Sequence, residues 1–526
     1  MRKVILLFTL LVSLSLSAQD FQIIKGGSTS GLEGGTNRSL KTIQQGCRRG
    51  TPRPESIHLR RGGGEGRTPG GDFYQGERHQ LTVLVAYNDR SFIGDETATM
   101  HQWNKIFNAE NLTEAPFKGS VHDYFHAQSY GNFNVVFDLQ YVQVSGGAAK
   151  YASTSFDDEN SQYLVEDIMD VLKGRDIDWS LYDWNGDGYV NQLLIIYAGH
   201  GMNDSSGSNL IWPHQWWMSN HLKDRQPGVW CEPIPVSFGG KDYLVDCYCA
   251  LAELTRSNDY GSFGIICHEY SHCFGFPDFY FGKTSYVGHW DLMDYGSYNG
   301  SGYCPSGYSA HERWLMGWLT FQEITADTTV TGMAALSDEP QSYLIRNAGY
   351  QNEYYVIENR QPKGWDAFLP SSGILIFHID FDPYVWPSTL TCPNHPAYLD
   401  DDGQLVPASE RYVLFHANNS SLVSKESGWA YPFADNDSLS SHSSPAATLW
   451  HAATDGSKHM SKSVYSMQVT DGLASFRFAQ PVSTGIDRPS ESAVDHQSAK
   501  ILYRMGSVYI VRNAKGEIQK VMKGEK

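Results

Sequence analysis

The chain has 526 residues, of which 41% are hydrophobic and 19% charged, a composition typical of a globular protein with room for two or three domains. Its 40 Lys and Arg against 58 Asp and Glu give a net charge of −18, and residues 1–80 carry a basic excess, so the remainder is more acidic still. Such a body would repel a phosphate backbone, which disfavours a nucleic-acid partner and suits hard cations such as Ca²⁺.

The N-terminus has the pattern of a cleaved secretory signal. Two basic residues precede an apolar run over 4–12, and small residues follow through Ala18. This run is too short to serve as an uncleaved membrane anchor, and no later stretch is apolar enough to span a bilayer. We therefore expect a signal peptide over 1–18, a secreted or cell-surface location, and no membrane span.

Residues 19–79 differ from the rest of the chain. Glycine pairs and arginines stand among prolines, as in Arg48-Arg49 and Arg60-Arg61, and such a segment cannot bury enough apolar surface to fold alone. The pattern predicts a propeptide with cleavage sites for a trypsin-like enzyme, and hence a zymogen; a plain linker is the alternative.

Two folded regions follow. A β-rich run over 81–87, a helical periodicity over 162–172 and an apolar strand-length run over 193–197 predict an α/β domain over 80–325. The next region has short strand-like runs separated by turn-rich loops, which predicts a β-sandwich-like domain over 326–482. Those runs cover 341–346, 353–357, 373–379, 411–415 and 474–478.

The residues with the clearest chemistry lie in a motif of the form H-E-x-x-H. On a helix, His268 and His272 stand one turn apart on one face, close enough for both imidazoles to bind one Zn²⁺. Glu269 is then placed as the general base that takes a proton from the zinc-bound water as this water attacks a carbonyl. The alternative is an amphipathic helix with two surface histidines.

The flanks of the motif argue for the metal site. Gly275 follows three residues after His272, where glycine can end the helix and turn the chain back, and Asp278 follows three residues later as a third ligand. The rival third ligand is Glu312, placed as in thermolysin-like enzymes. Asp278 is favoured for two reasons. A turn at Gly275 would have no purpose if Glu312 were the third ligand. In addition, Met293 precedes a tight turn, as does the methionine that lies beneath the zinc in metzincins.

These residues resemble secreted metallopeptidases of the immune inhibitor A type, in which H-E-x-x-H-x-x-G-x-x-D binds zinc. The resemblance covers roughly residues 80–480, and its further blocks include 119–125, 129–133, 182–188, 195–199 and 211–214. It implies an α/β (α+β) zincin-like catalytic domain followed by the β-sandwich-like domain. It also implies a zinc metalloendopeptidase (a hydrolase) acting on proteins or peptides; a catalytically inactive protein- or glycan-binding protein on the same scaffold is the alternative.

A peptidase also needs a donor for the oxyanion. Tyr295, two residues after Met293, stands where astacin-like and serralysin-like enzymes carry a tyrosine near the metal, and Tyr298 is the alternative. Either tyrosine could instead be a packing residue.

A second metal site is predicted at Asp183, Asn185 and Asp187, which form D-x-N-x-D-G, the first half of a calcium loop. The twelfth position is Leu194 rather than Glu, so this is not an EF-hand. We expect a Ca²⁺ loop completed from elsewhere; a metal-free Asx turn is the alternative.

The eight cysteines leave their pairing open. In an exported chain they usually form disulfides, yet removal of Cys47 with the propeptide would leave seven, so at least one thiol is unpaired or some are reduced core residues. Cys47 has a cationic setting and could hold the enzyme latent by binding the zinc. It could equally pair with Cys231 or Cys392, or have no role.

The C-terminal segment 483–526 contains a polar linker and two short strand-like runs around Gly506, and then lysines. It resembles the sorting modules of type IX secretion cargo, which implies secretion machinery as a partner. An ordinary terminal hairpin is the alternative.

Overall fold

The computed structural model describes residues 74–152, 160–203, 210–226, 229–255, 257–261, 263–382, 392–399, 405–406 and 408–480, together with the backbone of 500–505, 508–512 and 518–522. The predicted signal peptide and almost all of the predicted propeptide, including Cys47, lie outside these residues. The described chain through Ala479 forms one compact unit, and the strands beyond Gln480 belong to a second.

The described helices are few and short. They are α1 (Glu96–Asn108), α2 (Val121–Gln128), α3 (Ala148–Tyr151), α4 (Ser161–Leu172), α5 (Phe263–Cys273) and α6 (Ala310–Leu315). Each of them is too short or too polar to cross a bilayer. Local signals explain several starts: the Asp95 side chain accepts from the N–H of Ala98, and Ser120 forms a capping box with Asp123.

The first region is built on a five-stranded sheet in the order β2-β1-β4-β8-β5. Its strands are β1 (Gly76–Ala86), β2 (Phe133–Gln143), β4 (Leu193–His200), β5 (His214–Trp217) and β8 (Cys247–Leu254). The first four in spatial order run parallel, and β5 is an antiparallel edge. The predicted runs 81–87 and 193–197 are the buried interior of this sheet, because a strand covered on both faces is apolar throughout.

Small sheets attach to this region. A three-stranded sheet holds β3 (Tyr189–Val190), β6 (Ile234–Phe238) and β7 (Lys241–Val245), and a hairpin holds β9 (Tyr280–Phe281) and β10 (Thr284–Ser285). A 3₁₀ segment, Gly288–Trp290, follows β10, and a longer one, Tyr295–Gly302, precedes α6.

The second region is β-rich. One sheet has the order β11-β13-β14-β15-β18, and another has the order β12-β20-β19. Their bounds are β11 (Gln322–Glu323), β12 (Thr328–Met333), β13 (Tyr343–Asn347), β14 (Tyr350–Arg360), β15 (Gly373–Asp380), β18 (Tyr412–Leu414), β19 (Ser463–Thr470) and β20 (Leu473–Ala479). A short pair, β16 (Tyr398–Leu399) with β17 (Leu405–Val406), lies between β15 and β18 in sequence.

Two apolar cores support these sheets. The larger one surrounds α5 and the parallel sheet and extends into the β-rich region through Leu336, Tyr354 and Tyr412. The smaller one is shared by the two β-rich sheets, with Ile357 and Ile376 from one and Met333 and Phe476 from the other. The described chain is therefore a mixed α/β protein.

The C-terminal unit is a separate antiparallel sheet of β21 (Lys500–Met505), β22 (Val508–Arg512) and β23 (Ile518–Met522). Its first two strands cover the runs predicted around Gly506, and β23 is a further strand.

Candidate metal centre

Helix α5 carries the H-E-x-x-H motif through the core of the first region. Every residue from Phe263 to His272 is buried. At the start of the helix, a Cβ on Gly264 would lie 1.9 Å from the carbonyl oxygen of Ser297, so only glycine lets the two backbones approach this closely. The sequence thus allows the helix to sit directly on the 3₁₀ segment that follows Met293.

The chain turns back after α5 at Gly275. This residue has φ = +93°, which side chains rarely tolerate, and its N–H donates to the carbonyl of His272 at 2.8 Å. Phe276 N–H then donates to the Ser271 carbonyl at 3.3 Å. This turn brings Asp278 back to the imidazoles, as the spacing predicts.

Three ligand atoms converge at this point. Asp278 Oδ1 lies 3.1 Å from His268 Nε2 and 3.3 Å from His272 Nε2, and all three side chains are fully buried. The imidazole rings are nearly perpendicular, with centroids 4.8 Å apart. In the described part of the chain, this is the one group of three His, Cys, Asp or Glu side chains close enough to share an ion.

The hydrogen bonds made by Nδ1 of each imidazole indicate whether Nε2 is available to bind a cation. His268 Nδ1 lies 2.9 Å from the Leu292 carbonyl, and His272 Nδ1 lies 2.6 Å from the Phe276 carbonyl. A carbonyl only accepts, so each Nδ1 carries a proton, and in the neutral imidazole each Nε2 then presents a lone pair. In that form both lone pairs face and repel the carboxylate oxygen of Asp278 unless a cation lies between them, so the donor set fits a metal such as Zn²⁺.

The charge of Asp278 follows from the same arrangement. Burial by itself disfavours the carboxylate, but positive charge at the imidazole side outweighs it and holds the pKa of Asp278 well below its ordinary value, whether protonated His272 and His268 or a bound cation supplies that charge. With a cation bound, the ligand set presents one anionic oxygen and two neutral nitrogens.

The segment around Met293 lies against this site. Met293 is fully buried, its carbonyl accepts from Phe279 N–H at 2.9 Å, and the preceding carbonyl of Leu292 orients His268. The two backbone carbonyls that orient the imidazoles were not predicted, because a carbonyl at a given position leaves no mark in the sequence.

The structure places the rival ligand Glu312 in another role. It closes a capping box at the start of α6, where its Oε2 accepts from Ser309 N–H and Oγ at 2.8 and 3.0 Å. It also bonds the Asp291 carboxyl, and burial together with that neighbour raises the pKa of Glu312 well above its ordinary value. Glu312 is not among the three converging ligands.

The two candidate oxyanion donors lie on the 3₁₀ segment Tyr295–Gly302, just after Met293. Both Tyr295 and Tyr298 are half-buried. The Tyr295 ring meets the His289 ring edge-on, with centroids 5.6 Å apart. Its role as a donor stays a prediction.

The predicted calcium residues form a compact loop before β3. Asp183 Oδ1 and Oδ2 accept from the N–H groups of Asp187 and Gly188 at 3.1 and 3.0 Å, and Asn185 Nδ2 donates to Asp187 Oδ2 at 2.8 Å. Burial raises the pKa of Asp183. These bonds hold the loop together without an ion, so calcium stays a prediction.

Comparison with known proteins supports a metallopeptidase. The family model for the catalytic domain of the immune inhibitor A peptidase M6 matches residues 79–318, which include the whole motif. The chain is 27% identical over 279 residues to "Immune inhibitor A" of Bacillus thuringiensis subsp. alesti, covering 44% of this chain and 38% of that protein. It is 26% identical over 273 residues to "Pre-pro-metalloprotease PrtV" of Vibrio cholerae serotype O1, covering 43% and 28%.

The chain therefore spans well under half the length of these curated relatives. The range 79–318 that the family model matches includes the buried helix, its turn and the three converging ligands. The similarity of residues 79–318 to an M6 catalytic domain, together with the relatives named Immune inhibitor A and PrtV metalloprotease, supports a metallopeptidase.

Proposed function

We propose that the protein is a secreted zinc-dependent endopeptidase that cleaves peptide bonds with Glu269 as the general base. The observation that carries the proposal is the convergence of His268 Nε2, His272 Nε2 and Asp278 Oδ1 at the buried helix that also carries Glu269. Zn²⁺ bound by these three atoms would supply Lewis-acid chemistry, lowering the pKa of water and polarising the scissile carbonyl.

The chain's own residues provide the remaining parts. Glu269, one residue after the first ligand, takes a proton from the attacking water and returns it to the leaving amine. Glu269 is itself fully buried, on a helix that is buried from Phe263 to His272. Tyr295 is the proposed donor to the oxyanion, with Tyr298 as the alternative.

The processing of the chain belongs to the same proposal. A signal peptide over 1–18 and a propeptide over 19–79 fit an exported zymogen with a catalytic domain over 80–325 and a β-rich domain over 326–482. The tail over 483–526 is proposed as a sorting module for secretion machinery, and the Asp183 loop as a Ca²⁺ site. Protein or peptide substrates follow from the proposed chemistry.

The test is Glu269→Gln, which keeps the shape and removes the base. We expect a folded protein that still binds one zinc and loses on the order of a thousandfold or more in casein hydrolysis. Undiminished hydrolysis would contradict the mechanism. A wild-type protein that holds no zinc and cleaves nothing would instead favour an inactive binding protein on this scaffold.

A further inference from the structure

Strand β1 is preceded by a buried tyrosine that lies inside the predicted propeptide. Tyr74 is fully buried, and its ring makes edge-on contacts with the rings of Phe274, Phe133 and Trp184, with centroids 5.0, 6.0 and 6.1 Å apart. A buried aromatic side chain contributes a large apolar area and specific ring contacts to a core. Tyr74 is therefore part of the first folded region rather than of a segment that can be removed from it.

The backbone around Tyr74 is bonded to the same region. The Tyr74 carbonyl accepts from Trp318 Nε1 at 2.7 Å, and the Gly76 N–H donates to the Asn132 carbonyl at 2.7 Å. These bonds join the start of β1 to residues that lie more than fifty positions further along the chain. The segment just before β1 is thus held by its backbone as well as by its side chain.

Arg78, the last arginine of the predicted propeptide, lies within β1. It faces Val135 in the parallel pairing of β1 with β2, and the carbonyl of the next residue, His79, accepts from Trp184 Nε1 at 2.9 Å. A protease binds several residues on each side of the bond that it cuts, so a paired strand must first separate from its neighbours. The Arg78–His79 bond is therefore protected in the folded chain.

The contacts of Tyr74 extend to the turn of the candidate metal centre. Phe274 is the first residue after α5, and its N–H donates to the Ser271 carbonyl at 3.0 Å, within the turn that brings Asp278 back to the imidazoles. A cut after Arg78 would free Tyr74 from the chain that it supports and weaken the packing beside this turn. Processing at that bond would damage the site that it is expected to release.

We propose that proteolytic processing ends after Arg67, so that the mature chain begins at Thr68 and keeps Tyr74. Arg67 lies outside the described residues, and it is the last Lys or Arg before Tyr74 in the sequence. An external trypsin-like protease hydrolyses the Arg67–Thr68 peptide bond: water adds across it, which leaves a carboxylate on Arg67 and an amino group on Thr68. The inference rests on the proposed zymogen and moves the end of its propeptide from residue 79 to residue 67.

The test is limited digestion of the purified full chain with trypsin, followed by labelling of new N-termini and mass spectrometry. The Glu269→Gln variant is digested in parallel, which separates cuts made by the chain itself from those of trypsin. We expect the dominant N-terminal product to begin at Thr68 in both proteins. A dominant product that begins at His79, or one that begins at Gly62 with Arg67 uncut, would overturn the proposal.

Two arginine variants identify the bond that is cut. Arg67→Gln should move the dominant start to Gly62, after Arg61, and Arg78→Gln, the matched control, should leave it at Thr68. A start at His79 in Arg67→Gln would show that β1 does not protect Arg78 and would overturn the proposal. These readouts are cuts by trypsin, so they do not depend on peptidase activity of the chain. Failure of the proposed function would appear separately, as a wild type without zinc and without casein hydrolysis.

Two tyrosine variants test the anchor. Tyr74→Ala removes the ring contacts, so the start of β1 should open more often, and trypsin should cut after Arg78 about tenfold faster or more. Tyr74→Phe is the matched control: the buried hydroxyl has no hydrogen bond among the described residues, so its loss should not speed this cut. Equal rates for Tyr74→Ala and the wild type would overturn the proposal. If Tyr74→Ala does not fold, the products of the wild type and Arg67→Gln decide.

Discussion

The His289 imidazole is bonded to the Glu426 carboxylate, with Nδ1 and Oε1 2.7 Å apart, and this pair joins the loop beside the metal centre to the β-rich region. The second oxygen of Glu426 accepts from the His289 backbone N–H at 3.0 Å. Glu426 belongs to a 3₁₀ segment, Val423–Gly428. The edge-on contact of His289 with Tyr295 means that a residue far along the chain orients the neighbour of the proposed oxyanion donor.

Removing this carboxylate should disturb both stability and turnover. Glu426→Ala leaves the His289 N–H groups without their acceptor in a half-buried place, which should lower the free energy of unfolding by about 1–3 kcal/mol. We expect kcat to fall more than KM rises, because the loop that carries Tyr295 loses its support. Glu323→Ala is the control: its ion pair with Arg346 is exposed and should contribute under about 1 kcal/mol. Equal effects of the two variants in denaturant melts would contradict this role.

The identity of the third ligand can be decided by metal content. Asp278→Ala removes the carboxylate oxygen that faces both imidazoles, so the purified variant should hold much less zinc than the wild type, as measured by plasma emission. Glu312→Gln should retain zinc, because Glu312 is engaged at the start of α6. Loss of zinc from Glu312→Gln with retention in Asp278→Ala would reverse the assignment.

The buried Asp291–Glu312 pair predicts a pH dependence. Burial raises the pKa of both carboxyls, to about 6 for Asp291, and the neighbouring Asp291 raises that of Glu312 further. A group whose folded pKa lies above its unfolded value contributes stability at low pH that is lost as the pH rises through the folded pKa. The melting temperature of the wild type should therefore drop more between pH 5 and pH 8 than that of Glu312→Gln.

Some of that drop should remain in the variant. Asp294, whose pKa burial raises to about 7, titrates in the same window, and its Oδ2 accepts from the N–H groups of Tyr286, Val287 and Gly288. Parallel curves for the wild type and Glu312→Gln would show that the carboxyl pair has no such influence.

Calcium should stabilise the chain if the Asp183 loop binds it. Added Ca²⁺ would then raise the melting temperature of the wild type, since a ligand of the native state shifts the unfolding equilibrium, and Asp183→Asn should abolish this response. The measurement is differential scanning fluorimetry across Ca²⁺ concentrations, with zinc held constant. A melting temperature of the wild type that does not change with Ca²⁺ concentration would favour an Asx turn that needs no metal.

The close contact between Gly264 and the Ser297 carbonyl oxygen can be tested by adding one methyl group. In Gly264→Ala the added Cβ meets the Ser297 carbonyl oxygen at 1.9 Å, so the helix or the 3₁₀ segment must shift, which should cost about 1–3 kcal/mol in unfolding free energy. Gly174→Ala is the control, because its nearest neighbour, the Val171 carbonyl oxygen, lies 3.5 Å away. Activity should fall with Gly264→Ala, since the displaced segment follows Met293.

Much of the candidate site could be predicted because it is local. The i, i+4 spacing of His268 and His272 puts both imidazoles on one helix face whatever surrounds the helix, and Gly275 supplies the φ = +93° that returns Asp278 to them. The apolar run 193–197 likewise predicts a buried strand, and it forms the interior of β4. These properties follow from backbone geometry over a few residues.

Only the tertiary structure decided which distant groups meet. Glu426 and His289 are 137 positions apart, and a single acidic residue carries no signal of its partner. The same holds for the carbonyl of Leu292 against His268 and for Glu312, whose place in a capping box and beside Asp291 keeps it out of the ligand group. Such contacts depend on how whole sheets and helices pack, because close packing fixes side chains across elements that the local pattern of hydrophobic residues leaves unrelated.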